Sequence, residues 1–238
     1  MRTPSLLGTL LVVSSSAFAT FVSCPDQTYP TFPISGVSGG AASSCGNAGI
    51  AGGVFSASTP SKDPNAVVDI STLSNYINYD LAGFFGTEMA FPTEGSAVLL
   101  TGFTTTPGTT LSFNWSGFFE EGAAGALFYV HNGDLTVLQQ VDPPIQEFCF
   151  LEIESCPTIL PANGSNSVSI NLSESANSLS FGAISLTSRQ LIPFIALDPT
   201  LTITNLAVTS NNVPEPATLA LTGVALLGLA AWGRRRRA

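Results

Sequence analysis

From residue 86 onward, apolar and polar side chains alternate along the chain. Leu111, Phe113 and Trp115 are interleaved with Ser112, Asn114 and Ser116, which predicts a strand with one buried face. Residues 126–131 predict the next strand, and 135–141 its return. Between them Asn132-Gly133 forms a tight hairpin turn, because both residue types tolerate positive φ. Val168, Ile170 and Leu172 alternate with Ser169 and Asn171, and residues 179–186 and 201–208 complete the set. The last strand is expected to bulge near Asn205, where the alternation slips.

Upstream the period is helical. Ile70, Leu73, Ile77, Leu81 and Phe84 recur at steps of three and four behind Asp69, which predicts one short capped helix. Residues 24–66 are rich in Gly, Ser, Ala and Pro and are interrupted by Gly39-Gly40 and Gly52-Gly53. They read as extended loop with one or two edge strands. The pattern is therefore mainly β: a Gly/Ser/Pro-rich segment at 20–66, then a β-sandwich with one short helix at 67–209.

The two ends follow other rules. Met1 and Arg2 precede an apolar run at residues 6–13, too short to span a bilayer, and Ala17-Phe18-Ala19 places small residues at −3 and −1. This is the layout of a signal peptide over 1–19, cut before Thr20 by signal peptidase. Residues 217–233 are apolar or small apart from Thr218 and Thr222. At the helical rise they span roughly 25 Å, close to the hydrocarbon thickness, and so predict a C-terminal transmembrane helix. Arg234, Arg235, Arg236 and Arg237 follow at once. Four guanidinium groups do not cross lipid, so they act as a cytoplasmic stop and leave the main domain outside the cell.

After a short linker at 210–212 stands Val213-Pro214-Glu215-Pro216, whose prolines keep the segment extended and open to a protease. The order of this motif, an apolar helix and a basic stop over 213–238 resembles the PEP-CTERM sorting signal of bacterial exported proteins. The resemblance implies an exosortase as partner, processing at the Pro-Glu-Pro motif. It also implies anchoring in the inner membrane before processing, and a cell-surface or extracellular location afterwards. A second resemblance lies in Thr93-Glu94-Gly95-Ser96-Ala97 followed by Pro107-Gly108-Thr109-Thr110-Leu111-Ser112-Phe113-Asn114-Trp115. Glu120-Glu121 and Leu127-Phe128-Tyr129-Val130 complete it. These runs are similar to the extracellular sandwich carried by many PEP-CTERM proteins, which implies a jelly-roll-like fold without an assigned activity. Thr109 and Asn114 stand where that pattern has aspartates.

Charge narrows the partners. Residues 20–212 hold fifteen acidic side chains against Lys62 and Arg189, a net charge of −13. Such a surface repels nucleic acid and anionic lipid. Cys24, Cys45, Cys149 and Cys156 form an even set in an exported chain, which predicts disulfides with three connectivities. Local pairing, Cys24 with Cys45 and Cys149 with Cys156, is the simplest; buried free thiols are the alternative.

Candidate chemistry is sparse. His131, the only histidine, precedes the hairpin turn and reads as an exposed turn residue, not a triad base. Glu152 and Glu154 would share a strand face, and with Glu120 and Glu121 they offer the one route to a glycan hydrolase. Asp63, Asp69, Glu94, Glu120, Glu121 and Asp134 supply oxygens that could hold calcium in a stiffened adhesive module, though without a dense ligand spacing. No other cofactor or metal site is expected. Tyr76, Tyr79, Trp115 and Tyr129 could stack on sugars or pack in the core. The favoured reading is a non-enzymatic surface or matrix protein; its association with extracellular polysaccharide is what the sorting-signal resemblance, through the link of exosortase systems with exopolysaccharide production, and a resemblance to lectin-like sandwiches imply.

Overall fold

A computed structural model describes residues 23–59, 68–86, 90–120, 123–143, 161–188 and 199–210. Twelve strands and two short helices follow in order: β1 (Gln27–Tyr29), β2 (Ser38–Cys45), β3 (Ala48–Ala51), β4 (Val54–Ser58), β5 (Val68–Asp69), α1 (Ile70–Ile77) and α2 (Leu81–Phe85). Then come β6 (Ala90–Thr104), β7 (Thr109–Phe119), β8 (Gly125–His131), β9 (Asp134–Val141), β10 (Ala162–Asn171), β11 (Asn177–Ser188) and β12 (Pro199–Ser210). A larger sheet runs β1-β2-β6-β11-β8-β9, with β5 also paired to β6, and a smaller one runs β10-β7-β12-β4-β3.

The alternation explains how the sheets face each other. Along β7, Leu111, Phe113, Trp115 and Phe119 point inward while their neighbours face solvent or lie half-buried. They meet Val98, Leu100, Leu127, Leu179 and Phe181 of the larger sheet. Phe181 is the hinge of this layer, 5.0 Å from Phe113 edge-on and 5.7 Å from Phe55. The larger sheet is covered on its outer face too. There Ala126, Phe128, Val130, Ile184 and Leu186 pack with Leu73, Ile77, Leu81 and Phe85 of the helices. Burial on both faces is why β8 is apolar almost throughout and does not alternate.

The helical region differs from the single helix expected. Asn78 adopts a left-handed conformation at φ 54°, and Tyr79 N–H then bonds the Ser74 carbonyl, which ends α1. Asp80 caps α2 through Gly83 N–H. The break resets the phase, so Phe85 turns inward against Phe128 and Phe84 is left 48% exposed.

Residues 24–66 also depart from expectation. In place of loop with one or two edge strands they supply four strands, and two of these, β2 and β4, are interior to the sheets. Gly, Ser and Ala carry little strand preference of their own. The register against Leu99, Leu100 and Thr101 of β6, and against Thr202 and Ile203 of β12, holds them instead. The bulge near Asn205 is present, with φ 54° at that residue and a register shift between Thr204 and Ala207. Gly95, in the Thr-Glu-Gly-Ser-Ala run, is needed for close packing. A Cβ there would stand 2.7 Å from the Ala183 carbonyl oxygen and 2.7 Å from Leu73 of α1.

Candidate functional site

Many sequence candidates lie outside the described residues: Ala17, Ala19 and Thr20, Asp63, Glu121, Cys149, Glu152, Glu154 and Cys156, and the whole tail from Val213 to the arginines. Among the described residues no helix is long and apolar enough to cross a membrane. Cys24 and Cys45 are joined, tying the chain ahead of β1 to the end of β2. Asp69 is a helix cap, while Glu120 and Asp134 are exposed. Among the described residues no three His, Cys, Asp or Glu side chains converge on one point.

His131 is not the exposed turn residue expected. It ends β8 half-buried, and its Nε2 is enclosed with no hydrogen-bond partner among the described residues. By strand alternation it shares the inward side with Leu127 and Tyr129, which explains the burial. Thr109 and Asn114 serve the framework. Thr109 is buried and donates to the Thr106 carbonyl, and Asn114 accepts from Ser167 Oγ at 2.7 Å.

Of the four aromatic candidates, three are structural. Trp115 is 8% exposed in the core, Tyr129 packs edge-on to Phe113, and Tyr79 packs on Phe84. Tyr76 is different. It lines a cleft of about 600 Å³ on the outer face of the larger sheet, beside the C-terminal turn of α1. Leu99 and Thr101 of β6 and Ser178 of β11 line its sheet side, and the turns at 132–133 and 175–176 form the rim. Two residues further along the same face of β11, Ser180 is buried, and its Oγ has no partner among the described residues.

The cleft is uncharged and fixed. No acidic or basic side chain lines it among the described residues. The Tyr76 hydroxyl bonds Ser43 Oγ at 2.8 Å. Burial, reinforced by the nearby charge of Asp26, pushes that hydroxyl up to about 12 despite the Ser43 bond, so it stays protonated. Asn177, 1% exposed, holds the rim. Its Nδ2 donates to the Ser173 and Ser175 carbonyls at 2.9 Å each, and its Oδ1 accepts from Ser173 N–H at 3.1 Å. Asn132 donates to that same Oδ1, while its own Oδ1 accepts Ser178 N–H at 2.7 Å. Asn132 and Gly133 have φ of 50° and 91°, as a tight hairpin requires. At the end of β12, Ser210 pairs with Thr109, whose carbonyl accepts Leu172 N–H just before the 173–177 turn. Sequence reasoning finds the Asn-Gly turn and Tyr76 but not Asn177, which follows a Ser-rich run with no signal of its own.

Comparison with known proteins decides the tail. Residues 212–237 match the PEP-CTERM protein-sorting motif. The motif marks an exported protein that an exosortase processes at the membrane. No curated protein matches the chain. Among solved structures the chain is similar to the N-terminal cellulose-binding domain from Cellulomonas fimi β-1,4-glucanase C, at 13% identity and a TM-score of 0.27, over 76% of this chain and 98% of that one.

Proposed function

We propose that this is a non-catalytic cell-surface or matrix protein, delivered through its exosortase-processed tail and associating outside the cell with polysaccharide. The sorting motif at 212–237 carries the reading. The order of Pro214-Glu215-Pro216, apolar segment and four arginines suits a tail inserted in the inner membrane, presented to the processing enzyme and then removed. Supporting the non-catalytic part, Glu120 is exposed, and a general acid needs a desolvated carboxyl.

Intact-mass analysis of surface-extracted protein from an exosortase-positive host tests it. The expected chain begins at Thr20 and ends between Pro214 and Pro216. Recovery of chains still bearing Arg234, Arg235, Arg236 and Arg237 would overturn the processing. Sugar release from the host's own polysaccharide, abolished when Glu152 and Glu154 are both changed to Gln, would overturn the absence of catalysis.

A further inference from the structure

We propose that the cleft between α1 and the turns at 132–133 and 175–176 is a binding site for a neutral saccharide segment. This deepens the polysaccharide association above and rests on it for its biological setting, not for its chemistry. The volume of about 600 Å³ lies within the range of small-ligand sites. The lining selects the ligand class. Thr101, Ser175, Ser178 and Asn78 present hydroxyl and amide groups, which both donate and accept. A cation would want carboxylates, which the lining lacks, and an anion would meet a domain of net charge −13 without a basic residue to receive it. What fits is an uncharged, hydroxyl-rich molecule.

Two further features favour sugar over other neutral polar ligands. Tyr76 supplies an aromatic ring at the wall, a surface on which the apolar C–H face of a pyranose packs. Its orientation is fixed by Ser43, and burial keeps its hydroxyl protonated at every ordinary pH. The rim is built before the ligand arrives, because Asn177 and Asn132 hold both turns through bonds that a ligand need not form. A weakly hydrophobic ligand such as a sugar gains little from burial, so a site that needs no ordering on binding suits it. Asn78 is exposed in its left-handed conformation at the end of α1, where it lines the mouth.

Isothermal titration of the full chain in detergent and of the processed protein tests the site, with cellotetraose, maltotetraose and an alginate tetramer as probes. The expected result is saturable binding of at least one neutral tetramer that 1 M salt leaves unchanged. Ser175→Trp, which blocks the rim from an exposed turn, and Tyr76→Ala should each weaken it at least tenfold. Ser116→Trp, on the exposed face of the other sheet, should leave it unchanged, with thermal melts confirming that all three variants are folded. Equal binding by folded Ser175→Trp, preference for the alginate tetramer, or no binding by any neutral probe would overturn the proposal. Correct tail processing without sugar binding would sink the site alone; sugar binding by a protein whose tail is never cut would sink the sorting reading alone.

Discussion

Asn132 and Asn177, forty-five residues apart, meet side chain to side chain, with Asn132 Nδ2 donating to Asn177 Oδ1 at 3.3 Å. The contact links the β8–β9 hairpin to the turn that opens β11. Each residue is spoken for in other directions as well, Asn132 by Ser178 N–H and Asn177 by Ser173, Ser175 and Phe103. Two loops that could move independently are thereby one rigid rim.

Asn177→Ala removes the buried centre of this network and leaves Ser173 N–H and Asn132 Nδ2 short of an acceptor. The expected cost is about 1–3 kcal/mol, read by urea denaturation. Asn177→Asp should be worse than Ala: it keeps the acceptor, loses the donor to three carbonyls and buries a charge. An Asp variant as stable as wild type would show that the network contributes nothing.

Asp69 makes a pH-dependent contribution. Burial alone would raise its carboxyl, but the hydroxyls and amides of Ser71 and Thr72 outweigh that and hold it at about 2, below the ordinary 3.8. With the folded value lower, the stabilisation is present above the unfolded value and is lost as pH falls from 3.8 through about 2. Asp69→Ala should cost about 1 kcal/mol at pH 7, and the gap to wild type should narrow over that acidic window in thermal melts at stepped pH. A gap constant down to pH 2 would contradict the cap's ionic character.

Gly95→Ala tests why the Thr-Glu-Gly-Ser-Ala run carries a glycine. The added methyl must push Leu73, and with it α1, away from the sheet, or distort the β6–β11 pairing at Ala183. A loss of about 1–3 kcal/mol is expected. Combining it with Leu73→Ala should recover part of that loss, since the shortened side chain makes room; strict additivity of the two changes would refute this account.

The strands from β7 onward are legible in the sequence because most carry an apolar face against a polar one, a signal local to ten residues. The strands β2 and β4 are not, since Ser38-Gly39-Gly40-Ala41-Ala42 has no period and becomes strand only through the register offered by β6. The helix reads as one because Ile70, Leu73, Ile77 and Leu81 keep a helical step across a break that Asn78 alone imposes. Sequence singles out Tyr76, yet cannot separate its role from that of Tyr79 or Trp115, because the cleft is assembled from elements distant in the chain. The sorting motif is fully legible, its chemistry being written in consecutive residues.

The place where β12 ends limits how far the sandwich can stand from the sorting motif. Ser210 ends the strand, and the sorting motif opens two residues later at 212. An extended peptide covers at most about 3.6 Å per residue, so Pro214 can stand no more than about 14 Å from Ser210. A molecule tethered through residues 217–233 would therefore keep the end of β12 within a short tether of the membrane. Cutting the tail at Pro214 to Pro216 would then free that end of the sandwich from its tether as well as release the protein.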